Sequence, residues 1–345
     1  MSKYTWNIKK LIEIKEKLNI NNFNSIEEFE EISNVYDLLI NSYIKDTFEE
    51  YIEYDEINQL DYYKNLIKPY LNKQAYEILS TLNDYLNENK LFINRGPTEK
   101  IKMSNSDIFE LMNIVFKQIP NKNLYNSFRK VSDTTRNLIN IKYSKNTNQT
   151  YGATYIDSYN HIPYATIYRN NTSIDLVTTF HEIFHMIVRE NEETHFSYKP
   201  KTIYKETEGY FANLILGDIL TDIGLTKDFR KIQVADLMST RDALYGISSS
   251  KAFINSVDNE QSTKNLYIDD YLLDDIDIAF SYLTALDLYN LYQKDPEKVI
   301  DIILNLTKLN GENPKVELEN MGITFHKDGC TNYKNHYEKI KRLNQ

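Results

Sequence analysis

The chain has 345 residues, 41% hydrophobic and 26% charged, a composition that fits a folded protein of one large domain or two smaller ones and excludes a disordered chain. Its net charge of -10 argues against nucleic acid as a partner, which needs a basic face, and against docking on anionic lipid. With one cysteine, Cys330, no intramolecular disulfide is possible, and without an apolar targeting core or a membrane-length apolar segment the expectation is a cytoplasmic protein.

No glycine precedes Gly96, and before it only Pro69 could break a helix, so the first stretch reads as helical. Ser25 and Glu28 have capping-box spacing, and Phe29, Ile32, Tyr36 and Leu39 recur at helical intervals. The segment NRGPTEK, 94–100, is the first clear break. It is taken as the boundary between an N-terminal helical subdomain, 1–95, and a second domain, 96–345. From Lys142 the texture turns to Tyr, Thr and Ile, which predicts two short strands, Gly152–Ile156 and Pro163–Tyr168, with a turn around Ser158–His161. Pro163 suits a strand start or a sheet edge. Thr172 and Asp175 then make a cap-like helix start, and Val177, Phe180, Phe184 and Ile187 supply an apolar stripe to bury. A polar loop, 189–202, leads to another helix from about Ile203. Near the end Asp295 reads as an N-cap, Pro296 as the first helical residue and Gly311 as the stop. Cys330, in a polar stretch, reads as an incidental thiol.

Within TTFHEIFHMIV, 178–188, His181 and His185 stand four apart, so on a helix both rings leave the same face one turn apart. That spacing lets two imidazole nitrogens reach one zinc ion. Glu182, rotated by about 100° on the helix, flanks such an ion and can take a proton from water. A catalytic zinc needs a third protein ligand, and the Gly and His of the metzincin pattern are absent downstream. In YKETEGYFANLIL, Glu206 and Glu208 each meet the requirement by type and distance, and both also suit a solvated helix start.

The stretch from Tyr151 to Val188 resembles the catalytic core of the oligoendopeptidase F and thimet oligopeptidase family, with its Gly-Ala strand, its Pro-Tyr strand and its HExxH helix. ETEGYFANLIL is similar to that family's third-ligand helix, where a glutamate lies five residues before a phenylalanine. The resemblance therefore implies Glu206 as the ligand, with Glu208 in reserve. AFSYLTALDLYNLY and LTKLNGENPKVELENMGITF are similar to its C-terminal part, and the likeness runs roughly from Leu124 to Phe325. The implied fold is mainly α, a helical metallopeptidase with a small β-sheet beside the HExxH helix.

By the same resemblance 96–345 is a zinc-metallopeptidase catalytic domain, and 1–95 a reduced channel wall or lid. One Zn²⁺ per chain is held by His181, His185 and Glu206, with Glu182 as general base. Tyr282 falls on the innermost tyrosine of the family's late helix. Tyr271, with Tyr267 close by, falls near that helix's histidine, and both serve the substrate oxyanion. The sequence departs from the family in three ways: Phe184 replaces a glycine before the second histidine, the gap from His185 to Glu206 is shorter, and the N-terminal part is smaller. The expected activity is zinc-dependent hydrolysis of short, unstructured oligopeptides, with Pro163–Tyr168 as an edge on which the peptide pairs. The alternatives are a specialised protease, such as a toxin or peptide-maturation enzyme, and a non-catalytic peptide-binding protein. Of the other histidines, His161 lies in the predicted turn near substrate, and His195, His326 and His336 have no assigned role.

Overall fold

The structure is a computed structural model, and it describes residues 73–89, 103–143, 151–157, 162–190, 206–222, 229–252, 272–306, 319–323 and 329–343, with isolated positions before 73 and at 255. The chain divides into two compact units, Met1–Tyr63 and Lys64–Gln345. In the first, the Glu28 N–H donates to Ser25 Oγ at 3.1 Å and the Phe29 N–H to the Ser25 carbonyl, so Ser25 starts a helical turn. The proposed boundary at 94–100 and the stop at Gly311 lie outside the described residues.

The second unit is mostly helical, with one three-stranded sheet. Its described elements are α1 (Lys73–Glu88), α2 (Asn105–Gln118), α3 (Lys122–Val131), β1 (Ile139–Tyr143), β2 (Tyr151–Asp157), β3 (Ile162–Arg169), α4 (Ile174–Glu190), α5 (Thr207–Asp222), α6 (Phe229–Ser249), α7 (Leu272–Tyr292), α8 (Pro296–Leu304) and α9 (Thr331–Leu343). Local chemistry explains several starts. Ser104 and Asp107 form a reciprocal capping box on α2, Asn121 caps α3, and Asp295 with Pro296 opens α8 as the sequence predicts. That helix ends at Leu304, well short of Gly311.

Both predicted strands form, as a hairpin pairing Ala153 with Thr166 and Tyr155 with Tyr164. The sequence reading misses β1, which adds in parallel to the other side of β3 and pairs Ile141 with Ile167. The strand order is thus β1-β3-β2. This corrects the placement of Pro163–Tyr168 as an edge: β3 is central, and β2 pairs only with β3 among the described residues. Pro163, with no N–H to give, is tolerated because it sits at the second position of β3.

Helix α4 packs against β2 and β3 on one side and against α3 and α5 on others. Its start is fixed by Asp175, although not as a simple cap. The buried Asp175 carboxylate accepts from the N–H groups of Asn170 and Asn171 and pairs with Arg169 Nε at 3.1 Å. Arg169 itself is buried, donating to Asn105 Oδ1 at 2.6 Å and to the Met103 carbonyl at 2.8 Å. A buried charge needs such complete pairing, and here it ties the end of β3 to the first turn of α4 and to the head of α2.

Behind α4 lies an aromatic core. Phe116 stacks on Phe128 at 4.3 Å between ring centroids, and Phe180, Phe184 and Phe211 close around them. Phe184 fills space that glycine would leave empty, and all five rings are buried. Truncating such a ring typically costs about 3–5 kcal/mol. At the far end of the unit α1 packs on α6, and Tyr337 Oη of α9 donates to the Asn89 carbonyl. Cys330 is buried at the head of α9.

Candidate functional site

Helix α4 presents His181 and His185 about 100° around its axis from Phe180 and Phe184, with the two imidazole ring centroids 4.6 Å apart. Helix α5 crosses in front of them and brings Glu206, just before its first turn, to the same point. His181 Nε2 lies 3.0 Å from His185 Nε2 and 3.3 Å from Glu206 Oε2, and His185 Nε2 lies 3.4 Å from the same oxygen. Corners of a tetrahedron with bonds of about 2.0–2.1 Å are separated by about 3.3 Å, so these three atoms have the mutual spacing of ligands on one zinc-sized ion. They form the one group of three or more metal-ligating side chains found among the described residues. The Glu206 side chain is 32% exposed and that of His181 17%, so solvent reaches the site.

Glu208 takes a different place. Its side chain is 3% exposed, and its Oε1 lies 3.1 Å from His185 Nδ1, on the far edge of the ring from Glu206. Burial opposes charge on His185, but hydrogen bonds to Glu206 and Glu208 outweigh it and push its pKa up to about 10. Glu206 is partly desolvated as well, yet the two imidazoles hold its carboxyl far below the ordinary range. The pocket is thus built for positive charge.

Glu182 is buried, and Thr154 Oγ1 of β2 donates to its Oε2 at 2.6 Å. Two glycines make room for these groups. A Cβ on Gly152 would fall 2.7 Å from Glu182 Cγ and 2.7 Å from Thr178 Cγ2, and a Cβ on Gly209 would overlap the His181 ring. The Glu206 N–H donates to Ser281 Oγ at 3.3 Å, and Ser281 in turn donates to Asp277 Oδ1 at 3.1 Å, so α7 anchors the start of α5.

Tyr282 is wholly buried on α7, its ring edge-on to Tyr210 at 5.2 Å and to Tyr333 at 5.9 Å. Its hydroxyl finds no acceptor among the described residues, and burial holds its pKa well up. Tyr210 also contacts α4, edge-on to His181 at 6.4 Å. Tyr271, Tyr267, His161, His195 and His326 lie outside the described residues. The structure therefore gathers His181, Glu182, His185 and Glu206, and adds Thr154, Gly209, Tyr210 and Ser281, which sequence reasoning missed. A glycine in the first turn of an otherwise apolar helix was the available signal for Gly209.

No family model matches the sequence, and no curated protein matches it. Solved structures do match. A protein of Chlamydophila abortus provisionally described as a peptidase superposes with a TM-score of 0.58 at 13% identity, covering 83% of this chain and 57% of its own. The fold is shared. A protein provisionally described as an oligoendopeptidase F gives a TM-score of 0.50 at 16% identity, covering 85% of this chain and 58% of its own. This chain spans less than three fifths of either protein. The mainly helical architecture with a small sheet beside α4 is thus a fold that this chain shares with both structures.

Proposed function

We propose that the chain is a zinc-dependent endopeptidase acting on short, unstructured peptides. The observation that carries this reading is the triangle of His181 Nε2, His185 Nε2 and Glu206 Oε2, spaced as one zinc ion requires. Zinc bound there would supply Lewis acidity, polarising the scissile carbonyl and lowering the pKa of water. Glu182 takes the proton of the attacking water and returns it to the leaving amine. Thr154 holds the carboxylate that does so, bonded through Oε2. A tyrosine hydroxyl donates to the developing oxyanion. The resemblance assigns that role to Tyr282 and Tyr271. Tyr210, which adjoins His181 and whose pKa burial also raises, is a third candidate. An extended peptide pairs on β2, the strand that contacts Glu182 and has a side left over for pairing among the described residues.

The test is hydrolysis of a mixture of quenched-fluorescent peptides by zinc-loaded wild type and Glu182→Gln, with bound zinc measured in both. The reading stands if each binds about one zinc and only the wild type cleaves. It fails if the wild type holds zinc and cleaves nothing, or holds none.

A further inference from the structure

We propose that Glu208 is the positioning residue of this centre: it accepts the Nδ1–H of His185 and so fixes the tautomer that leaves Nε2 bare toward Glu206 and His181. The inference rests on the metal-site reading above. An imidazole that ligates a metal carries its one proton on the other nitrogen, and whatever accepts that proton sets the ring's orientation. Glu208 Oε1 is 3.1 Å from Nδ1, while Nε2 of the same ring is 3.0 Å from His181 Nε2 and 3.4 Å from Glu206 Oε2.

Burial makes the arrangement obligatory. Glu208 is 2% exposed, and a carboxylate out of water needs a donor. His185 is the hydrogen-bond donor the structure gives it. Glu206 immediately precedes α5 and Glu208 is in its first turn, and the two carboxylates meet opposite nitrogens of the His185 ring. One therefore shares the ligand triangle and the other closes the ring's far edge. The other histidine is set differently: His181 lies where Gly209 has no Cβ, and Tyr210 packs edge-on against it. Four of the five residues from Glu206 to Tyr210 thus define the pose of both imidazoles.

The experiment measures zinc affinity of metal-free wild type, Glu208→Gln, Glu208→Ala and Glu206→Gln by chelator competition. It adds the visible spectrum of each cobalt(II) derivative and the nitrogen-15 resonance of His185 Nδ1–H. Glu208→Ala is expected to weaken zinc by about 10–100-fold and to lose the Nδ1–H resonance. Both Glu208 variants should keep the wild-type cobalt band positions, whereas Glu206→Gln should shift them. Glu208→Gln, which keeps volume and an acceptor oxygen, provides the reading if the alanine variant does not fold, and is expected to show a smaller loss. Wild-type affinity in Glu208→Gln and Glu208→Ala, or a cobalt spectrum that changes with Glu208 and not with Glu206, overturns the proposal while leaving the metal site intact. A wild type that binds neither metal removes the metal reading and this inference together.

Discussion

Two regions of the second unit bury a histidine to nearly the same extent. His185 on α4 is 8% exposed and His336 on α9 is 7% exposed. Desolvation disfavours the charged imidazole at both places, yet the outcomes are opposite. His185 is pushed up to about 10 because Glu206 and Glu208 bracket it, and His336 is pushed down to about 4 by burial, with Lys339 adding to it. His336 Nε2 also has no hydrogen-bond partner among the described residues. The difference teaches that burial does not mark a functional histidine. The carboxylates brought to His185 set the sign, because they favour positive charge in that pocket.

The sharpest way to separate the two regions is catalytic. Glu182→Gln should lower peptide turnover by about 10²–10⁴-fold with zinc content unchanged, whereas His336→Leu should leave turnover at the wild-type level. Steady-state kinetics on both variants decides whether chemistry is confined to the α4 end.

The next effect is in stability and belongs to His336. Its folded pKa of about 4 lies below the ordinary 6.5, so the folded state favours the neutral ring. Its contribution is present above pH 6.5 and is lost as pH falls from 6.5 toward 4, because the unfolded chain binds the proton first. A shift of this size corresponds to about 3 kcal/mol at pH 4. Denaturant titrations at pH 7 and pH 4 should show that loss in the wild type and a smaller one in His336→Leu.

The His185 end should answer pH through metal binding instead of stability. In the metal-free protein the ring is protonated at pH 7, and it must release that proton to ligate. Zinc affinity is therefore expected to rise by about tenfold per pH unit from pH 6 to 8, beyond any change in the chelator itself. Calorimetry in buffers of different ionisation enthalpy should find about one proton released per ion. A pH-independent affinity would erase the contrast between the two histidines.

The smallest effect concerns Thr154. Replacing it by valine removes the donor to Glu182 Oε2 and should reduce kcat by about tenfold, the worth of one hydrogen bond to a charged group, with KM little changed. Thr154→Ser, which keeps the hydroxyl, should restore most of the rate. Equal losses in both variants would show that packing, and not the hydrogen bond, is what Thr154 supplies.

Much of this was legible in the sequence because it depends on near neighbours. Spacing of four places His181 and His185 on one face, alternation and β-branching give β2 and β3, and Asp295-Pro296 starts α8, all from contacts within a turn or a hairpin. Strand β1 was not legible, since a five-residue strand that pairs only with β3 among the described residues carries little local signal. Nor was the central position of β3, which depends on β1 docking beside it.

By itself the sequence determined which residues are competent to ligate: two histidines and a following pair of glutamates. Residue type and spacing left Glu206 and Glu208 equivalent, and the family resemblance put Glu206 first. The packing of α5 against α4 gives each carboxylate its own place, one at Nε2 and the other at Nδ1 of the same ring. The physical reason is that the directions of a residue just before a helix and of one in its first turn are fixed by how that helix docks, here by the packing of α5 against α4 and α7.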